Sequence, residues 1–338
     1  MSPFEFIQHS QSLPIIDVRS PAEYNHAHIP GAVNVPLFSN EERALVGTLY
    51  KKSGRDAAVL LGLEIVGSKL ADFVRKAKKI ALKKEVLVHC WRGGMRSGSF
   101  AWLLKTAGFN VNILEGGYKS YRNLVLDGLA VPHQFIILGG KTGSGKTDIL
   151  KEIEKCGEQI IDLEALAHHK GSTFGAIGQL PQPSTEQFEN LLYQKIRTLD
   201  SSKRIWLEDE SRNVGSCYIP QSFYNLMRAS KVTFIDVPKY TRIERLVKEY
   251  AFCEPQLLID ATERIKKRLG GQHHKAALDA LAVQDYAAVA DMMLTYYDKA
   301  YLYGLSQREQ SLISTFEVEK DEPENTAKML IDWIKNNV

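Results

Sequence analysis

Cysteine is scarce in this 338-residue chain: four residues, scattered, with no Cys-x-x-Cys pair. That spacing excludes a disulfide framework and a thiolate zinc knot, and it fits a reducing compartment. No apolar run approaches the length of a membrane span, and the opening MSPFEFIQHSQSL has no basic region followed by an apolar core. Charge of one sign is also lacking. A net charge of +3 neither demands nor excludes a nucleic-acid partner, so local clustering has to decide. Low-complexity tracts are absent, and 44% hydrophobic with 25% charged residues is ordinary globular usage. The expectation is a soluble, cytoplasmic protein of two domains with no membrane partner.

What is present centres on Val86–Arg96, VLVHCWRGGMR. Val86, Leu87 and Val88 read as a buried strand that delivers Cys90 into a glycine-bearing loop, and a helical pattern starts at Ser97. A strand–loop–helix of this kind points loop N–H groups and the positive end of the helix dipole at the sulfur. A free thiol is only about 3% thiolate at pH 7, and such surroundings make the thiolate dominant. The loop Trp91, Arg92, Gly93, Gly94, Met95, Arg96, Ser97 is therefore read as an anion cradle around a nucleophilic Cys90, the two arginines suiting a tetrahedral oxyanion. Cys156, Cys217 and Cys253 have no such neighbours and are read as buried structural cysteines.

Around this loop, strands are expected at Leu13–Val18, Ala32–Val35 and Val111–Leu114. Helices are expected at about Asn40–Lys52 and Leu63–Leu82. Alternating strands and helices imply a doubly wound parallel sheet with its ligand site beyond the carboxyl ends of the strands, where Cys90 lies. IIDVRSPAEYNHAHIPGAVNVPL, the cysteine loop and LEGGYKSY together resemble a rhodanese domain over roughly residues 10–125, within a first domain expected at 1–125. That resemblance implies a cysteine carrying sulfur or selenium. One departure stands out: Arg96 is one position farther from Cys90 than in the common sulfurtransferase loop. His89, Cys90, Arg96 and Ser97 instead match the HC-x5-R-S/T pattern of cysteine phosphatases. The wider loop suits a whole phosphate or selenophosphate.

The second half, residues 133–338, opens with a strand at Phe135–Leu138 followed by GGKTGSGKT and an amphipathic helix. Gly140, Gly145, Lys146 and Thr147 fit G-x-x-x-x-G-K-[ST] in strand–loop–helix context. The run Gly140, Lys141, Thr142, Gly143, Ser144, Gly145, Lys146, Thr147 is thus read as a diphosphate-binding loop, with the Thr147 hydroxyl placed for a metal ion. Further strands are expected at Gln159–Leu163, Ile205–Glu208 and Val232–Val237. Asp162, Glu208 and Asp236 at their ends are candidate acidic partners of the loop, Glu208 foremost. Candidate phosphate or tRNA contacts are Arg212, Arg242, Arg245, Arg264, Lys267, Arg268 and Lys275. The last four belong to the chain's densest basic stretch, Ala261–Leu281. The remainder reads as helical packing, giving a P-loop NTPase-like α/β domain with a helical C-terminal part.

The order CWRGGMRSGS, GGKTGSGKT, DLEALAHHKGSTFG, LEDESRNVG, RLGGQHHKAAL resembles the bacterial tRNA 2-selenouridine synthases over nearly the full length. The resemblance implies conversion of 2-thiouridine at the tRNA wobble position to 2-selenouridine. It also implies S-geranylation by geranyl diphosphate first, then selenium from selenophosphate by way of Cys90. Both small molecules are co-substrates, no cofactor is expected to be tightly bound, and Mg²⁺ is a candidate ion. Three other readings stay open on the motifs: an ATP-dependent kinase or NTPase with a sulfurtransferase domain, a cysteine phosphatase, and a non-catalytic RNA-binding protein.

Overall fold

The computed structural model describes residues 1–337. It divides into two units, Met1–Gly128 with Glu189–Tyr193, and Leu129–Phe188 with the described residues from Gln194 onward.

In the first unit, β1 (Ile15–Asp17), β2 (Val33–Asn34), β3 (Glu85–His89) and β4 (Asn110–Ile113) form a parallel sheet in the order β2-β1-β3-β4. Its helices are α1 (Pro3–His9), α2 (Pro21–His26), α3 (Asn40–Gly67), α4 (Leu70–Ile80), α5 (Met95–Thr106) and α6 (Gly117–Gly128). Val86, Leu87 and Val88 are all fully buried, so both faces of β3 are covered and its apolar run does not alternate. Ser2–Glu5, Ser20–Glu23 and Ser39–Glu42 open α1, α2 and α3 as capping boxes. The two helices expected at 40–52 and 63–82 are partitioned differently. The first runs on to Gly67 through a break at Gly54, whose φ of 86° lets the chain bend and resume, and the next starts only at Leu70. Register places Asp17 of β1 opposite His89 of β3. The sheet order reverses direction between these two strands, which opens a crevice at their carboxyl ends.

The second unit holds β5 (Phe135–Gly140), β6 (Gln159–Ile161), β7 (Ile205–Glu208), a small hairpin of β8 (Asn213–Val214) and β9 (Cys217–Tyr218), β10 (Lys231–Asp236) and β11 (Ile313–Glu317). The main sheet is all parallel, ordered β11-β10-β5-β7-β6 with β5 central. Its helices are α7 (Lys146–Lys155), α8 (Leu163–Ala167), α9 (Thr185–Arg197), α10 (Gln221–Arg228), α11 (Lys239–Tyr250), α12 (Pro255–Arg264), α13 (Lys266–Leu269), α14 (Gly271–Ala282), α15 (Tyr286–Ser306) and α16 (Pro323–Asn337). Strand β11 corrects the expectation of an all-helical tail. ISTFE at the sheet edge keeps no residue fully buried, so it carries no apolar run to betray it. Helices α12 to α15 share a separate apolar core that includes Leu258, Ile265, Leu281 and Met293. Among the described residues no helix is long and apolar enough to cross a membrane.

Candidate functional site

At the end of β3, Cys90 is 2% exposed and belongs to the buried core of the first unit. Its sulfur meets polar groups: Sγ lies 3.2 Å from the Ser97 hydroxyl, and the N–H groups of Ser97 and Arg92 donate to it. Burial alone would push the thiol up. The hydroxyl, the two amides and the Arg96 charge outweigh it and hold the thiol below its ordinary value, so more of it is thiolate than in a free cysteine. Helix α5 starts at Met95 with no side chain capping it, leaving first-turn N–H groups facing the loop.

The loop keeps its shape because another glycine turn lies against it. Gly93 and Gly117 both have positive φ, and a Cβ on Gly117 would stand 2.4 Å from the Gly93 nitrogen and 2.5 Å from the Cys90 carbonyl oxygen. Backbone bonds from Tyr118 N–H to Cys90 O (2.8 Å) and Lys119 N–H to Trp91 O (3.0 Å) tie the two turns together. The glycines of LEGGYKSY thus serve close backbone approach.

Of the two arginines, Arg92 is exposed, and Arg96 is held by Glu23 of α2 at 2.8 and 3.4 Å. Burial pushes Glu23 up, but Arg96 and the Ser20 N–H hold its carboxyl below the usual range, so it is ionised. Glu23 escaped the sequence reading; its signal was the capping box of SPAE, which explains the residue as a cap and hides its second partner. His89 points away from the thiol. It is fully buried beside Asp17 (3.6 Å), and burial holds its imidazole neutral. Arg19, also fully buried, forks onto Asp17 and reaches the Ala27 carbonyl, pinning the loop after β1. Of the remaining cysteines only Cys217 is buried, with its thiol pushed up to about 11; Cys253 is half-buried, and Cys156, at the end of α7, is exposed, contrary to expectation.

The second cradle follows β5. Gly143 and Gly145 adopt φ near +80°, wrapping the loop, and Lys146 Nζ folds back onto the Gly140 carbonyl at 3.0 Å. The Gly140 N–H donates to the Tyr301 hydroxyl, which donates to Asp209, itself paired with the buried Arg308. Lys141 pairs with Asp236 at 3.0 Å. The carboxylate that the Thr147 hydroxyl reaches is Glu164 (2.8 Å), a residue the sequence reading did not single out. Asp162 and Glu208, the other two candidate acidic partners, also have other duties. Asp162 caps α8 through the Ala165 N–H, and Glu208 is fully buried, accepting from the Leu163 N–H at 3.0 Å. Burial and the carboxylates of Asp162, Glu164 and Glu210 push Glu208 well up. Arg242 is also spent: 2% exposed, it forks onto Asp298 and donates to the Thr142 and Val237 carbonyls, a strut beneath the loop. Arg245 lies against Gly145 and pairs with Asp148 and Asp321.

Glycine loop, Lys146, Glu164, Glu210, Arg245 and Arg268 line a cleft of about 790 Å³. A narrow apolar cavity of about 60 Å³ adjoins it, sharing Thr142, Ser172, Leu246, Tyr250 and Tyr297 and continuing between α12, α14 and α15 past Leu258, Leu281 and Leu294. Arg212, Arg264, Lys267 and Lys275 are exposed, outside the cleft, while His274 is buried beside Glu263. Mg²⁺ fits the oxygen-only donors here. It takes one or two carboxylates and completes its shell with phosphate oxygens and water, and the described residues offer no cluster of three or more acidic, His or Cys ligands.

Residues 133–331 match the family model described as the tRNA 2-selenouridine synthase AAA domain, and residues 3–124 match the rhodanese-like domain. Similar curated proteins carry the name tRNA 2-selenouridine synthase. The one from Shewanella sediminis is 35% identical over 89% of this chain and 90% of its own length. That from Nitrosomonas eutropha is 38% identical over 72% of this chain and 64% of its own, and that from Bdellovibrio bacteriovorus 40% identical over 71% and 65%.

Proposed function

Because the chain belongs to the tRNA 2-selenouridine synthase family, we propose that it converts 2-thiouridine in tRNA to 2-selenouridine in two half-reactions, one per cradle. In the first, the thiocarbonyl sulfur attacks C1 of geranyl diphosphate. The C–O bond breaks, diphosphate leaves, and the N3 proton is lost to solvent. The glycine-loop N–H groups and Lys146 stabilise charge on the departing diphosphate. Mg²⁺, held by Thr147 and Glu164, would supply further charge neutralisation. In the second, selenium from selenophosphate replaces the alkylated sulfur at C2, with Cys90 as nucleophile and its loop as the anion cradle. Alkylation makes this feasible because the sulfur then departs as geranylthiol. Exposed Arg264, Lys267 and Lys275 supply a backbone footprint for tRNA.

The observation that carries this reading is the shared wall between an anion cleft and an apolar cavity. A molecule with a diphosphate head and a hydrocarbon tail needs both; a nucleoside triphosphate needs only the first. As it stands the cavity holds the volume of roughly four or five waters, about one isoprene unit. The second unit lies along Leu246, Tyr250 and Tyr297.

The test is mass spectrometry of digested tRNA after incubation with geranyl diphosphate and selenophosphate, each omitted in turn. Cys90→Ser is expected to stop selenation and accumulate S-geranyl tRNA. Lys146→Ala is expected to slow geranylation by roughly 10²-fold. Unchanged products in both variants would refute the assignment, and nucleotide turnover independent of Cys90 would favour an NTPase.

A further inference from the structure

The selenium in selenophosphate already stands at the selenide oxidation level, as does the selenium of selenouridine. If the Cys90 thiolate attacked selenium, the new S–Se bond would oxidise it by two electrons, and phosphorus would leave with the P–Se pair as phosphite. That route needs both an oxidant to convert phosphite to phosphate and a reductant to return the selenium. Attack on phosphorus has no such imbalance. The S–P bond forms, the P–Se bond breaks with its electron pair on selenium, and hydrogen selenide is released.

We propose that Cys90 attacks the phosphorus of selenophosphate, becomes S-phosphocysteine, and frees hydrogen selenide to attack C2 of the alkylated uridine. This rests on the reading of selenophosphate as the donor. Water then attacks phosphorus, orthophosphate leaves, and the thiolate returns. Hydrogen selenide expels geranyl thiolate from C2, which takes a proton from solvent. Summed over both steps, selenophosphate, water and S-geranyl tRNA give orthophosphate, geranylthiol and selenouridine tRNA, with no change of oxidation state.

The cradle is built for phosphoryl transfer rather than for seating one selenium atom. Five residues separate Cys90 from Arg96, and the uncapped start of α5 adds first-turn N–H groups to those of the loop. Glu23 holds the Arg96 guanidinium at the rim, and Arg92 is exposed. Three equatorial oxygens have donors to meet. The Ser97 hydroxyl lies 3.2 Å from Sγ and 3.1 Å from the Gly94 carbonyl oxygen, and turns its proton to the sulfur when the sulfur carries charge, as it does when phosphocysteine breaks down. Glu23 is committed to Arg96 and Asp17 to Arg19, so neither stands ready to give a leaving group its proton. Expelling an alkoxide would need such a donor. Hydrogen selenide, a much stronger acid than an alcohol or thiol, leaves without one.

The experiment incubates the full-length protein with selenophosphate alone, quenches at mildly alkaline pH, and takes the mass of the Cys90 peptide. Phosphorus has one stable isotope and adds a single sharp increment, whereas selenium adds a broad isotope envelope. The expected adduct is the sharp one, absent in Cys90→Ser. In Ser97→Ala it should build up at least tenfold, because its breakdown slows; a merely structural defect would lower adduct and turnover together. A parallel reaction on S-geranyl tRNA reports selenouridine. A selenium envelope on Cys90, or no adduct in either protein while selenouridine forms, overturns the proposal. No selenouridine from the unmodified protein would fault the choice of selenophosphate itself and take the proposal with it.

Discussion

Glu210 lines the diphosphate cleft, and burial together with the neighbouring Glu164 carboxylate pushes it up to about 8. At neutral pH it therefore carries a proton, which spares an incoming diphosphate one opposing charge. The same shift sets a pH dependence. An acid whose folded value lies above its ordinary 4.5 contributes stability that is whole below pH 4.5 and is lost as pH rises through about 8. Glu210→Gln removes that loss. The melting temperature of the ligand-free protein should fall between pH 5 and pH 8.5, and the variant's should fall less, by about 3 °C or more. Superimposable melting curves across the range would contradict the shift. Cys90 runs the other way: its lowered thiol keeps the nucleophile ionised as pH falls below the free-thiol range.

At the scale of elements, the apolar cavity beside the glycine loop is walled by α12, α14 and α15, and Leu258 and Leu281 lie beyond the wall it shares with the cleft. Leu281→Phe fills that end. It should raise KM for geranyl diphosphate roughly tenfold while leaving a five-carbon allylic diphosphate little affected. Inhibition by inorganic diphosphate, which reads the loop alone, should not move. Equal effects on all three would mean the hydrocarbon lies elsewhere. This cavity was illegible in the sequence because helices α11 to α15 bring together residues as far apart as Leu246 and Leu294, and each helix alone reads as ordinary amphipathic packing. The two nucleophile and phosphate loops were legible because each is one contiguous strand–loop–helix whose glycines and cations are fixed by local geometry. Partners from other elements were not. Glu23 reaches Arg96 across 73 residues, Tyr301 reaches Gly140 across 161, and Glu164 displaced the better-looking Glu208, since strand-end position says nothing about which carboxylate faces the hydroxyl. Arg242, read as a candidate phosphate contact, is a buried strut because Asp298 comes from α15.

Across the whole molecule, both chemical sites follow the central strands of parallel sheets, and the densest basic stretch lies in the C-terminal helices of the second unit. If that stretch meets the tRNA backbone, replacing Arg264 and Lys267 by Ala should weaken tRNA binding at low salt. The slope of log affinity against log salt should then fall by about one to two. Geranylation of a free thiouridine nucleoside should be unaffected, because neither side chain lines the cleft. An unchanged slope would assign the charge to solvated surface.

The backbone-to-backbone contact of Gly93 with Gly117 carries a lesson for anyone varying this protein. Two stretches separated by a strand and a helix behave as one mechanical part, with no side-chain cushion between them. Even a methyl group on Gly117 would be felt first as a displaced sulfur, before any global loss of structure. Libraries that treat the two turns as independent will misread such variants as damaged nucleophiles, when only the bearing surface has been worn.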